Sequence, residues 1–388
     1  MSARHIVVVG ASLGGLRAVE TLRRLGNDAR ITLIGDESEL PYDRPPLSKD
    51  LLLGKVDAVG VRLTTHESLA ALDIELRLGE RAIRLDPVAR RLTLDKGLVE
   101  YDDLVIATGS SARRLPQQRD LPGVYALRTL DDALELRQAL GANPAVAVVG
   151  GGFIGAEVAS AVRQLGLEVT IIDPLPVLMQ RVLGDVVGAR VTRFHGEAGV
   201  RLRLRAQVAD LVGRQTVEGV RLANGILVAA DLVMIAVGAT PNTDWLLDSG
   251  LEVRDGIVCD EYLCAGPGVY AIGDVVRWHH PLYGASLRAE HWTYAVEHAR
   301  AVAATLTGQP TRCASVPYVW SDQHGVKLQI AGRVQPRDEV RFVMDEPRRF
   351  LALTGSDSVQ HAAVAMSAAG AFVRQQVRLA GQPPWPPP

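Results

Sequence analysis

A chain of 388 residues, 47% apolar and 22% charged, has the make-up of an ordinary globular protein and the length for two or three domains. Its formal net charge of −2 argues against a general nucleic-acid binder, though not against a local basic patch. Three cysteines supply neither a disulfide framework nor zinc-ligand spacing, and no stretch reaches the roughly 18 apolar residues of a membrane span, so a soluble, cytoplasmic protein without a metal site is expected.

The chain opens with Ile6–Val9, an apolar run too short for the core of a signal peptide and better read as a strand. It feeds Gly10-Ala11-Ser12-Leu13-Gly14-Gly15, a helix to about Leu25, and a second apolar strand that ends in Gly35-Asp36-Glu37. Strand, glycine turn, helix, strand and acid in this order are the pattern of a dinucleotide site. The first glycine permits the tight turn, the middle small residue lets a pyrophosphate approach, and the last lets helix and strand pack closely. Ser12 stands in the middle glycine's place. Free N–H groups at the helix N-terminus favour the phosphates, and Asp36, or failing it Glu37, is placed for a ribose hydroxyl.

A polar, proline-rich loop, Leu40–Lys49, follows, then strand-like pieces at 74–78 and 91–94 and the run Leu104–Gly109. Pro116 and Pro122 mark a crossing between domains. The amphipathic stretch Thr129–Leu140 predicts a helix, with Asp131 and Asp132 in its first turn where the helix dipole favours them. Val146–Val149 then leads into Gly150-x-Gly152-x-x-Gly155, a helix, and a strand closing on Asp173, so the dinucleotide pattern occurs twice. A carboxylate here hydrogen-bonds a free 2′-hydroxyl and repels a 2′-phosphate, and no arginine follows before Arg181, so NADH is favoured over NADPH. Two such units predict two dinucleotides whose rings meet so that electrons can pass. This unit runs on to Leu232–Gly238, and Pro241 marks the return crossing. Gly268–Asp274 is a further buried strand, followed by a helix over about 289–306. Beyond Arg312 the shorter alternating pieces predict a small α+β domain, and the Pro383–Pro388 tail is expected to be mobile because proline extends neither ladder nor helix. The fold class is α/β: two Rossmann-like dinucleotide-binding domains plus the small α+β domain.

Four motifs narrow this further: Pro41-Tyr-Asp-Arg-Pro-Pro-Leu-Ser-Lys49, Arg128-Thr-Leu-Asp-Asp-Ala133, Glu290-His291-Trp292, and Val316-Pro-Tyr-Val-Trp-Ser-Asp-Gln323. With the glycine turns they resemble the two-dinucleotide-fold flavoprotein reductases of the glutathione reductase type. Within these they resemble the FAD-dependent NADH:ferredoxin reductases that serve Rieske-type dioxygenases and cytochrome monooxygenases. The resemblance covers nearly the whole chain and is weakest over the last 60 or so residues.

That resemblance implies an FAD domain in two segments, 1–113 and 243–312, an NAD domain at 114–242 and a C-terminal domain at 313–388. It implies FAD contacts from Gly10, Ser12, Leu13, Gly14, Gly15, Asp36, Arg44, Ala82, Thr108, Gly109, Arg128, Gly273 and Asp274, with Asp274 on the ribityl chain. NAD contacts are implied for Gly150, Gly152, Ile154, Gly155, Asp173 and Gly238. Lys49 and Glu157 are the implied catalytic pair, an ion pair beside flavin N5, where a lysine favours the anionic reduced ring. Without the motif each is simply a solvated charge. Trp292 and Trp320 are implied neighbours of the isoalloxazine; otherwise they are core tryptophans.

Disulfide reductases of this superfamily need a cysteine pair early in the FAD domain, and the related peroxidases and oxidases a single one. The first cysteine here is Cys259. Thiol substrates are therefore not expected. The implied activity passes hydride from NADH to FAD and then single electrons to a small [2Fe–2S] ferredoxin feeding an oxygenase, in a monomer or weak homodimer. Rubredoxin, quinone or oxygen as acceptor, and an NADH-responsive binding flavoprotein like apoptosis-inducing factor, are the alternatives.

Overall fold

A computed structural model describes residues 4–116 and 121–387. The chain divides into two compact units. One is Met1–Asp43, Val61–Ser111 and Thr240–Ser315; the other is Arg44–Gly60, Ala112–Ala239 and Val316–Pro388.

The first unit is built on a six-stranded sheet in the order Cys264–Gly266, Val269–Ala271, Asp103–Ile106, His5–Val9, Arg30–Gly35, Glu75–Leu78. All its pairings are parallel except that of Cys264–Gly266 with Val269–Ala271. Strands buried on both faces must read as unbroken apolar runs, and Ile6, Val7 and Val8 and Leu104–Ile106 are fully buried. Each such side chain contributes roughly 1.5–3 kcal/mol of burial. The helices Leu13–Arg24 and Trp292–Leu306 pack on each other. The latter begins three residues later than the sequence suggests, because Ala289–His291 remain outside the helical turn. A three-stranded antiparallel sheet, Ala82–Asp86, Arg91–Leu94 and Gly97–Glu100, completes the piece around residue 90.

The second unit carries a five-stranded parallel sheet, ordered Arg201–Leu204, Val169–Asp173, Val146–Val149, Leu232–Ile235, Val124–Ala126. Its helix Leu130–Leu140 starts from Thr129, whose hydroxyl accepts from the Asp132 amide while the Asp132 carboxylate accepts from the Thr129 amide. This reciprocal cap is worth about 1 kcal/mol. The C-terminal part is a five-stranded antiparallel sheet, Tyr318–Gln323, Val326–Gly332, Val359–Met366, Arg349–Ser356, Glu339–Glu346, with the helix Ala369–Leu379 against it.

The tail is not loose, contrary to expectation. Trp385 is buried in the C-terminal core, and its N–H donates to the Ser358 carbonyl at 2.9 Å. A side chain at Gly355 would meet the indole at 2.6 Å, so that glycine makes the room. Pro384 makes an isolated antiparallel bridge with Val359, and the Gln360 N–H donates to the Pro383 carbonyl at 2.8 Å, so prolines that donate no N–H still accept and pair. Pro388 lies outside the described residues.

Candidate functional site

The first glycine turn follows His5–Val9. Gly10 has φ +116, and a Cβ there would sit 2.1 Å from the Ala107 carbonyl oxygen; one at Gly15 would sit 2.0 Å from the carbonyl oxygen of Gly10. Neither position accepts a side chain. A Cβ at Gly14 would meet nothing nearer than the Ile272 side chain, at an ordinary 3.5 Å. Ser12 has the extended backbone of an N-cap but makes no capping bond, and buried Leu13 begins the helix. The first-turn amides are thus left without side-chain caps, as an anion site requires. Beyond the second strand Asp36 is exposed, while half-buried Glu37 accepts a short hydrogen bond from the Tyr42 hydroxyl.

Four more segments of this unit carry candidate residues. Thr108 bonds the Asn242 backbone, its hydroxyl donating to the carbonyl at 3.1 Å, and Gly109 follows with φ +64. Gly273, φ +75, donates its N–H to His298 Nδ1 at 3.2 Å, and the Ser110 hydroxyl donates to Asp274 Oδ2 at 3.1 Å. His298 is fully buried, and burial above all pushes its pKa down to about 3; His291 falls to about 4 for the same reason. Both sense the Asp274 carboxylate, and His298 Nε2 and His291 Nδ1 are buried without a partner. Orphaned polar atoms beside an aspartate suit a polar ligand that brings its own donors and acceptors. Trp292 donates from Nε1 to Asp43 Oδ1 at 2.7 Å. Ala82 is half-buried at the head of its strand.

In the second unit the turn repeats. A Cβ at Gly150, φ +109, would meet the Ala236 carbonyl oxygen at 2.2 Å, and one at Gly155 the Gly150 carbonyl oxygen at 2.0 Å. Gly152 faces open space, with nothing within 4 Å of a Cβ, as does Gly238. Ile154 is exposed in the first turn of the helix Phe153–Gln164. Asp173 is buried, and both its oxygens already hold backbone amides, Gly151 at 2.6 Å and Leu175 at 2.8 Å. It fixes the glycine turn, and each oxygen keeps one acceptor site for a ligand.

Two residues from Gly155 along that helix, Glu157 is buried. Lys49 Nζ lies 3.1 Å from its Oε1; Ser321 donates to the same oxygen at 2.6 Å, and Ser48 to the other. Lys49 caps the short 3₁₀ turn Pro45–Ser48, which rests on the helices Leu130–Leu140 and Phe153–Gln164, and also reaches Asp322 at 3.5 Å. Burial holds the Glu157 carboxyl above the usual carboxylate range, partly offset by Lys49 and then the two serines. Arg44 donates to the Arg128 carbonyl at 2.5 Å, and Trp320 stacks on Tyr318 with ring centroids 5.9 Å apart. Ser48, Ser321 and Gln323 lie inside motifs the sequence singles out, yet nothing in the sequence assigns them a role. His195, a lone histidine in a helix, carries no signal at all.

The family described as pyridine nucleotide-disulphide oxidoreductase matches residues 4–299, and the reductase C-terminal family residues 318–384. The chain is 41% identical over 340 residues to the anthranilate 1,2-dioxygenase system ferredoxin–NAD(+) reductase component of Burkholderia cepacia, over 86% of this chain and 82% of that one. Its fold matches the ferredoxin reductase for the CYP199A2 system from Rhodopseudomonas palustris with a TM-score of 0.95 at 33% identity, over 98% and 95% of the two chains. The reductase of the covalent putidaredoxin reductase–putidaredoxin complex gives 0.94 at 31%, over 98% and 94%. The chain belongs to the pyridine nucleotide-disulphide oxidoreductases, among the ferredoxin reductases that carry a reductase C-terminal domain.

Proposed function

We propose that the protein carries electrons from NADH through FAD to a small iron–sulfur ferredoxin serving an oxygenase or cytochrome monooxygenase. One observation carries the reading. In a family named for disulphide chemistry, the first cysteine of this chain is Cys259, and the loop Asp43–Lys49 instead delivers a lysine 3.1 Å from buried Glu157. All three cysteines are free, and burial raises each thiol, Cys313 to about 12, which disfavours the thiolates that disulfide exchange needs.

The first glycine turn, Asp274 and the orphaned nitrogens of His291 and His298 suit FAD; the second turn, with open Gly152 and Gly238, suits NADH. Bound FAD supplies the conversion of a two-electron donor to one-electron delivery. Residues 1–113 and 243–312 form the FAD domain, 114–242 the NAD domain and 313–388 the C-terminal domain. Asp36 or Glu37 holds the FAD ribose, Arg44, Ala82, Thr108, Gly109 and Arg128 complete that site, and Trp292 and Trp320 shield the ring. Lys49 sets a positive charge where negative charge accumulates, and Glu157 holds the lysine in place. The acceptor is a [2Fe–2S] protein, and the reductase works in the cytoplasm as a monomer or weak homodimer.

The test is to purify the protein, identify its flavin, and titrate it anaerobically with NADH and NADPH before adding ferredoxin. The expected result is bleaching by NADH and ferredoxin reduction that slows as salt rises. A colourless protein, or flavin reduced with no acceptor-dependent turnover, overturns the reading.

A further inference from the structure

The motif Trp320-Ser-Asp-Gln323 contains more than the proposed function uses. From Glu157 a line of hydrogen bonds runs through the second unit: Ser321 Oγ at 2.6 Å, then Gln323 Nε2 to Ser321 Oγ at 2.9 Å, Gln323 Oε1 to His195 Nε2 at 2.8 Å, and His195 Nδ1 to His324 Nε2 at 3.1 Å. Ser321, Gln323 and His195 are buried; His324 is half-buried. Its backbone N–H is anchored on Ser160 Oγ at 2.6 Å.

The direction of every link follows from the carboxylate. Ionised Glu157 only accepts, so Ser321 must donate to it and must itself accept from the Gln323 amide. That turns Gln323 Oε1 toward His195, whose Nε2 must then carry the proton. His195 Nδ1 is left as an acceptor, and His324 Nε2 donates to it. Burial pushes both imidazoles down to about 4, so near neutral pH each holds the single ring proton this scheme needs. Four consecutive donors point toward one anion, and each polarises the next.

We propose that His324, His195, Gln323 and Ser321 are positioning residues, a one-way donor chain that keeps Glu157 ionised and its carboxylate turned to Lys49. This rests on the reading that Lys49 and Glu157 serve the flavin, but its test needs neither NADH nor ferredoxin. The Glu157 carboxyl, identified by the infrared band lost in Glu157→Gln, is titrated in the resting, flavin-loaded protein.

Gln323→Leu and His195→Phe cut the chain and raise the Glu157 midpoint by about one pH unit, a tenfold gain in proton affinity. His195→Gln retains a donor at the Nε2 position and titrates like the parent; a chain that only filled space would not distinguish it from phenylalanine. If a buried variant does not fold, His324→Leu at the half-buried end shifts the midpoint in the same direction by about threefold in affinity. An unchanged midpoint in the folded chain-cutting variants overturns the proposal. Flavin that NADH cannot reduce, with the midpoints shifted as expected, would sink the proposed function and leave the donor chain standing.

Discussion

The two glycine turns agree in backbone and differ in side chains. Val146 pairs with Val169 as Ile6 pairs with Ile31, so Gly150 corresponds to Gly10, Gly155 to Gly15, Asp173 to Gly35 and Glu157 to Arg17. At both turns the first glycine lies against the carbonyl that ends a neighbouring strand, Ala107 or Ala236, and the last against the first. Hard contacts of this kind are backbone on backbone and recur unchanged. At the strand end the fillings trade places: Ala11 faces Gly35 in one turn, and Gly151 faces Asp173 in the other. A methyl group stands in the first where a carboxylate stands in the second, and the ribose partner proposed for the first turn, Asp36 or Glu37, lies further on. The contrast at Glu157 is greater still. Arg17 makes a half-exposed pair with Glu20 at 2.6 Å, while Glu157 is buried among a lysine and two serines.

The largest effects should come where the turns agree. Gly15→Ala and Gly155→Ala each force a Cβ onto a carbonyl oxygen, whereas Gly14→Ala meets nothing nearer than the Ile272 side chain at 3.5 Å. Strain of this kind costs several kcal/mol, so the first should purify without flavin and the second should keep flavin but lose NADH binding. Equal behaviour of Gly14→Ala and Gly15→Ala would show that the glycines matter for something other than space.

Next come the sites where the turns differ. Glu157→Gln leaves Lys49 without its buried counter-charge, and flavin reduction by NADH should slow by about 10²-fold in stopped flow. Arg17→Ala, at the matching place, should change thermal stability by less than about 0.5 kcal/mol. Asp173→Ala should weaken NADH by about tenfold and narrow its advantage over NADPH, because it loses the proposed ribose acceptor and the anchor of the Gly151 turn together. A selectivity ratio that does not move would place ribose recognition elsewhere.

A last effect is graded with pH. His291 and His298 in one unit and His195 and His324 in the other are pushed from 6.5 to about 4, or about 3 for His298, mainly by burial. The unfolded chain therefore takes up protons first as pH falls. The stability they contribute is intact above about 6.5 and drains away toward about 4. For a fully buried histidine the slope is about 1.4 kcal/mol per pH unit. Urea melts between about pH 7 and about pH 5 should show this slope, and His298→Leu should flatten it by one histidine's share.

Much of this was legible in the chain itself. The turns, the parallel strands and the Thr129-capped helix follow from periodicity, glycine placement and turn chemistry, which are local. The Trp385 anchor was not legible, because a proline-rich tail reads as unstructured until the cleft opened by Gly355 is known. Nor was the Glu157 environment. Ser48, Ser321 and His195 are distant in sequence from Glu157, and serine and histidine carry no periodic signal.

By itself the sequence determined two nucleotide cradles, the lack of an early thiol and the carboxylate at Asp173, since each depends on residues close together along the chain. Only the tertiary structure decided that Glu157 is buried, which donors face it, and that His195 and His324 stand in line behind them. Desolvation and hydrogen-bond direction are properties of what surrounds an atom in space, and those neighbours come from segments more than a hundred residues apart.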